Sequence, residues 1–150
     1  SIDRKILNAL QSDCSGSIAE IADRAGVSQT PCWRRIKKLE KSGYIDKRVA
    51  LLNSKVLSLM MTAYVTVKTA HHDDAWLKRF SDGVQNIPEI VEIHRMAGDI
   101  DYLLKVVAGD IAEHDAIYKR LIKVAELSDV GASFSMECIK TTTELPLDRL

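Results

Sequence analysis

Residues 28–40 read S-Q-T-P-C-W-R-R-I-K-K-L-E and set four cations, Arg34, Arg35, Lys37 and Lys38, against one acid, Glu40. Guanidinium and ammonium groups at this density neutralise phosphates or another polyanion. Just ahead of them stand Ser28, Gln29 and Thr30, short polar side chains of the kind that hydrogen-bond base edges and phosphate oxygens. The spacing is helical. Ser28 is an N-cap type, and Pro31 falls in the first turn, where a missing N–H costs little. Cys32, Ile36 and Leu39 recur at i, i+4, i+7 as a narrow apolar stripe. The cations and Trp33 take the remaining surface, so one side can pack while the other meets a polyanion.

Such a helix needs others to hold it. Ile6, Leu7 and Leu10 have helical spacing after an early Asp3. Ser17-Ile-Ala-Glu20 has the form of a capping box, opening a short helix with Ile18, Ile21, Ala22 and Ala25 inward. Gly26-Val27-Ser28 then makes a tight corner. Three helices, with the second and third joined this way, spell a helix-turn-helix, with a plain three-helix bundle bearing a solvated charged face as the alternative. Gly43 ends the third helix, and Tyr44–Asn53 reads as a β-hairpin or wing with Asp46-Lys47-Arg48 at its tip. Lys47 and Arg48 are either phosphate contacts beside the basic helix or ordinary turn residues.

The charge is divided the same way. Net charge is zero over 150 residues, yet residues 1–50 hold ten Lys/Arg against six Asp/Glu, and the rest is correspondingly acidic. A basic first third on an acidic remainder points to two domains, with the nucleic-acid footprint confined to the first. Cys14, Cys32 and Cys138 are odd in number and form no C-x-x-C, as expected of free thiols in a reducing compartment. No apolar run is long enough to span a bilayer and no signal peptide is read, so no membrane partner is expected. The expected location is cytoplasmic and nucleoid-associated. The chain starts without Met inside a helical pattern, as though N-terminal residues had been removed.

After Asn53 the period changes. Strands are expected over 59–68, 89–96, 101–108 and 130–141, and helices over 73–87 and from Asp110 to about Ala125. The first of these helices would turn Trp76, Leu77, Phe80, Val84 and Ile87 inward. The order βαββαβ folds as a four-stranded antiparallel sheet with both helices on one face. Its other face would carry alternate apolar side chains and be covered by a second copy. The fold class is therefore α+β: a winged helix-turn-helix domain (1–50), a linker strand or hinge (51–58), and a βαββαβ ferredoxin-like domain (59–150).

A basic helix-turn-helix followed by this unit resembles the Lrp/AsnC (leucine-responsive, feast/famine) transcriptional regulators. The motifs are I-D-R-K-I-L-N-A-L-Q at 2–11, S-Q-T-P-C-W-R-R-I-K-K-L-E at 28–40, G-Y-I at 43–45, G-D-I-D-Y-L-L at 98–104 and T-T-x-L-P-L ending at Leu147. The resemblance covers essentially the whole chain. It implies a non-enzymatic regulator that binds double-stranded DNA and forms homodimers through the ligand-sensing (RAM) domains, often as a tetramer of dimers. It also implies an amino-acid effector, with no other cofactor, near Gly98, Asp99, Ile100, Asp101 and Tyr102, assisted by Thr141, Thr142 and Thr143 of a neighbour. Those residue types suit the ligand: carboxylates accept from an ammonium, and N–H groups at a Gly-containing turn donate to a carboxylate. Read alone, Gly98-Asp99 is simply a tight hairpin turn. Trp33 departs from the family pattern, where a smaller aliphatic is common; its ring would pack over the duplex backbone or the wing.

Two other readings accompany this one. An architectural DNA-binding protein would have the basic face and no effector. Siroheme decarboxylases resemble the family in fold but have lost the DNA role of the helical domain, and the intact basic face of residues 34–41 speaks against them. His71-His72-Asp73-Asp74 has metal-ligating types, but Asp at a loop-to-helix junction is ordinarily a cap. His94, His114 and Met60-Met61 read as structural. No Ser/His/Asp set, P-loop or G-x-G-x-x-G occurs at usable spacing.

Overall fold

Helices form where caps and apolar spacing coincide: α1 (Ile2–Ser12), α2 (Ile18–Ala25) and α3 (Gln29–Lys41). In this computed structural model, which describes residues 1–150, they belong to one of two compact units, residues 1–51 with 139–150. Ser17 Oγ accepts the Glu20 N–H at 3.1 Å, capping α2, while the Glu20 carboxylate accepts from the Ser17 hydroxyl rather than from its backbone. Only half of the capping box therefore forms. Gly26 closes α2 in the left-handed region (φ 70°), and the Val27 N–H donates to Ala22 C=O. Ile6, Leu10, Ile21, Ala22, Cys32, Ile36 and Leu39 fill the space between the three helices.

Residues 44–53 depart from expectation. They form no paired strand and run as exposed chain, with Val49, Leu51 and Leu52 open to solvent. Two-residue hairpin turns favour Asn-Gly, Asp-Gly or Gly-Gly, and Asp46 is followed by Lys47 and Arg48 with no glycine. Arg48 instead reaches back to Glu40 at 2.7 Å. The chain then makes a short turn over 54–58, anchored by the Asn53 side chain accepting from Lys55 N–H at 3.0 Å.

The second unit (52–138) holds β1 (Met61–Lys68), α4 (Asp74–Gln85), β2 (Ile90–Arg95), β3 (Tyr102–Ala108), α5 (Ile111–Leu121) and β4 (Asp129–Phe134). All neighbours in the sheet, β2-β3-β1-β4, are antiparallel. Val65, Val67, Leu104 and Val106 meet Trp76, Phe80, Val84, Ile117 and Leu121 in one core. Trp76 stacks on Phe80 with ring centroids 5.0 Å apart, and Tyr102 lies at the same distance from Phe80.

Several boundaries shift. β4 stops at Phe134 rather than continuing to Thr141, because β1 begins at Met61 and the ladder ends with Ser135 N–H donating to Thr62 C=O. Residues 139–150, assigned from sequence to the sheet domain, cluster with the helical unit: Leu147 and Leu150 pack on its core, and Gln11 exchanges two hydrogen bonds with the Leu145 backbone (2.8 and 2.9 Å). α5 ends at Leu121 and gives way to tight turns before Ala125. Leu77 is exposed, since Trp76, Phe80 and Val84 already define the inward stripe. The sheet face away from the helices is also more polar than expected: the register places Thr62, Tyr64, Thr66, Glu92, His94 and Lys105 there, with Leu103 and Val107.

α4 approaches the turn after α5 so closely that a methyl on Gly83 would collide with Val124 Cγ1. Alanine usually stabilises a helix interior by about 1 kcal/mol over glycine, but overpacking costs about 1–3 kcal/mol and wins here. Gly83→Ala is expected to lower the urea midpoint and Val124→Ala in the same chain to recover part of it; strictly additive losses would show that the two positions do not touch.

On the sheet's other face, Glu92 accepts from His94 Nε2 at 2.9 Å and lies 3.7 Å from Lys105 Nζ. That hydrogen bond first, and the Lys105 charge after it, hold its carboxyl below the usual value. A depressed folded-state pKa stabilises above the unfolded value, and the gain is lost as pH falls through the folded one. The pair is half exposed, so the gain is under about 1 kcal/mol. Glu92→Gln is expected to cost that much near neutral pH and nothing once both carboxyl forms are protonated; an equal cost at both pH values would mean the charge is not the cause.

Candidate nucleic-acid interface and effector turn

Helical geometry puts Thr30, Arg34, Lys38 and Lys41, spaced i, i+4, i+8 and i+11, along one side of α3. The buried Cys32, Ile36 and Leu39 lie on the opposite side. Ser28, Gln29, Thr30, Pro31, Trp33, Arg34, Arg35, Lys37, Lys38, Lys47 and Arg48 are all exposed. Ser28 caps α3 by backbone conformation alone, and its hydroxyl makes no capping bond, so it stays available.

The cations divide into two sets. Arg35 lies 3.6 Å from Asp3 of α1, Lys37 lies 3.8 Å from Glu40, and Arg48 shares that same Glu40. Arg34, Lys38, Lys41 and Lys47 have no acidic partner within ion-pair distance. Trp33 is half exposed, with Lys37 Nζ 6.0 Å from its ring centroid, and so carries a cation over its face. Cys32 lies beneath this surface, and burial pushes its thiol pKa up. Lys37–Glu40 is an i,i+3 pair within α3 that spacing makes legible, whereas Arg35–Asp3 and Arg48–Glu40 join α3 to other parts of the chain and carry no local signal.

The residues of the second motif are brought together only in part. Gly98 to Tyr102 share the β2–β3 turn, with Gly98 at φ 149° and open space where a side chain would stand. Asp99 is exposed and makes no ion pair or hydrogen bond, whereas Asp101 is committed to the fold. Its C=O accepts from Met96 N–H at 2.8 Å, its N–H donates to Val67 C=O at 2.9 Å, and its carboxylate accepts the Thr69 N–H at 2.9 Å. The Tyr102 ring is buried against Trp76 and Phe80, which makes it a support of the turn. Ile100 is half buried. Thr141, Thr142 and Thr143 belong to the other unit, where Thr142 Oγ1 accepts from Glu144 N–H at 3.1 Å. Of the histidine-aspartate run, Asp73 caps α4 by accepting from Trp76 N–H, and His71 pairs with Glu126 at 2.7 Å. Thr69 and Glu126, both bonded into the turn's support, carried no signal in the sequence: one follows a strand and the other lies in a loop.

A cationic helix-turn-helix joined to an antiparallel α/β unit of this topology is the build of a ligand-responsive, DNA-binding transcriptional regulator. The chain belongs to the Lrp/AsnC family: residues 62–145 match the Lrp/AsnC ligand binding domain, and residues 1–46 match a winged helix-turn-helix DNA-binding module. Among its relatives, the DNA-binding transcriptional activator DecR of Escherichia coli K12 is 45% identical over 98% of this chain and 97% of its own. An AsnC family transcriptional regulator from Agrobacterium tumefaciens superposes with a TM-score of 0.94 at 52% identity, over 99% of this chain and 97% of that one. A transcriptional regulator of Neisseria meningitidis, solved as a complex with L-Met, superposes with a TM-score of 0.92 at 30% identity over the same shares. These relatives and domains are those of transcriptional regulators, not enzymes.

Proposed function

We propose that this regulator binds specific DNA sites through α3 and that an amino acid at the β2–β3 turn alters its activity or assembly. The observation that carries the DNA reading is the side of α3 opposite its buried stripe, where Arg34, Lys38 and Lys41 are exposed and unpaired. They neutralise phosphates, while Ser28, Gln29 and Thr30 reach base edges. Pro31 and Trp33 border the contact, and Lys37, Arg35, Lys47 and Arg48 add charge at its margins once Asp3 and Glu40 release them. Two heads in a homodimer read two-fold-related half-sites, and dimers assemble further, on the family pattern.

The effector is a free amino acid. Asp99, the unengaged carboxylate of the turn, accepts from its ammonium, and main-chain N–H groups around Gly98 meet its carboxylate. Ile100 and Tyr102 shape the turn, and Thr141 to Thr143 of a neighbouring chain complete the site. The methionine bound by the Neisseria meningitidis regulator supports the ligand class. The effector acts through unequal affinity for two states of the assembly, since equal affinity would shift nothing.

Arg34→Ala with Lys38→Ala is expected to weaken binding to duplex DNA and to reduce the steepness of its salt dependence by about 2 in log–log slope for each bound head, about 4 for the homodimer, measured by fluorescence anisotropy. Asp3→Asn, which frees Arg35, is expected to tighten binding roughly two- to fivefold at low salt. An unchanged slope in the double variant would remove α3 from the interface.

A thermal-shift screen of the protein amino acids, one at a time, is expected to give a subset that raises the apparent stability. Asp99→Asn is expected to abolish that rise while leaving the unliganded transition in place. A rise that survives Asp99→Asn would move the effector elsewhere.

A further inference from the structure

Thr69, the residue after β1, is one of the few buried polar side chains in the protein, and both its hydroxyl and its backbone N–H are engaged. Its N–H donates to the Asp101 carboxylate at 2.9 Å. Its hydroxyl donates to Glu126 C=O at 3.3 Å and accepts the His71 N–H at 3.0 Å. Glu126 C=O also accepts from Trp76 Nε1 at 2.9 Å, and its carboxylate holds His71 Nε2 at 2.7 Å. The Trp76 ring in turn stands 5.7 Å from that of Tyr102. The circuit Asp101–Thr69–Glu126–Trp76–Tyr102 therefore closes on the β2–β3 turn. Its far side, the segment between α5 and β4, walls an open cleft of about 850 Å³ lined by Arg79, Tyr118, Lys123, Glu126, Ser128 and Asp129.

We propose that Thr69 is a positioning residue that fixes Asp101 in the effector turn and couples that turn to the α5–β4 segment. The assignment rests on the reading of the turn as the effector site, but the coupling itself does not need a ligand. The Thr69 hydroxyl, bonded to Glu126 C=O and His71 N–H, holds in place the backbone whose N–H reaches the Asp101 carboxylate, and a methyl in place of that hydroxyl leaves the His71 N–H without this partner and Glu126 C=O with Trp76 Nε1 alone. Ligand contact at Gly98–Asp99 then stiffens residues 122–130, and disorder in 122–130 loosens the turn. Thr69 touches no ligand, so its effect on binding passes through Asp101.

The test is hydrogen exchange on the full chain with Thr69→Val and Thr69→Ser, each with and without the amino acids. Thr69→Val is expected to raise exchange both in residues 98–102 and in residues 122–130, while β1 and β3 amides away from the ends stay protected. Thr69→Ser, which restores the hydroxyl, returns both segments to the wild-type level. In wild type, an amino acid that binds the turn protects both segments, and Thr69→Val lowers its affinity roughly three- to tenfold. Faster exchange confined to 122–130 in Thr69→Val would overturn the coupling, as would failure of Thr69→Ser to rescue it. If Thr69→Val loosens the protein globally, Glu126→Pro, which constrains the segment without touching the turn, must still change exchange in 98–102, and an unchanged turn would overturn the proposal. Should both segments respond together while no amino acid protects the turn in wild type, the positioning role stands and the effector reading of the turn falls.

Discussion

Burial of Cys32, Ile36 and Leu39 decides which way α3 faces, and most of what the helical unit does follows from that orientation. The stripe is narrow, one residue per turn, and it is completed only because Ile6, Leu10, Ile21 and Ala22 converge on it from two other helices. Rotating α3 by a single residue position would turn a cation into this core. The cost of burying an unpaired guanidinium or ammonium far exceeds that of exposing a leucine. The apolar side thus holds the cationic side outward without any contact to the cations themselves. Asp3 and Glu40 pair with three of those charges, and exposed pairs of this kind contribute little stability.

The sheet unit uses a different device. Its core is an aromatic cluster of Trp76, Phe80 and Tyr102, and its turn is tied down by backbone groups and by the Asp101 carboxylate. A turn held this way keeps its shape while leaving one neighbouring carboxylate, Asp99, without a partner. Two aspartates two residues apart are therefore differently engaged, Asp101 bonded into the fold and Asp99 exposed. Tyr102 likewise serves the turn from inside the core, by fixing where β3 begins.

Much of this was legible in the residues. The caps at Ser17 and Asp73, the stripe in α3, and the change from helical to alternating period after Asn53 are local signals, and the helices and strands follow them. What failed was non-local. The extent of β4 depended on where β1 begins, and no feature of residues 135–141 reveals that. The expected hairpin at 44–53 has the alternation of a strand but lacks both a turn residue and a partner in the same chain. The tail 139–150 docks on α1 through Gln11, whose side-chain amide imitates a neighbouring strand. The family resemblance pointed to the β2–β3 turn as a candidate effector site, whereas Thr69 and Glu126 were invisible because their importance lies entirely in whom they meet.

Because residues 139–150 belong with 1–51, the sheet unit is joined to the helical unit by two stretches of chain rather than one. Both leave the sheet from the same place: β1 starts at Met61, and β4 hands over at Ser135, whose N–H donates to Thr62 C=O. One connector continues into exposed apolar residues, Val49, Leu51, Leu52, Val56 and Leu57. A surface of that kind gains from cover.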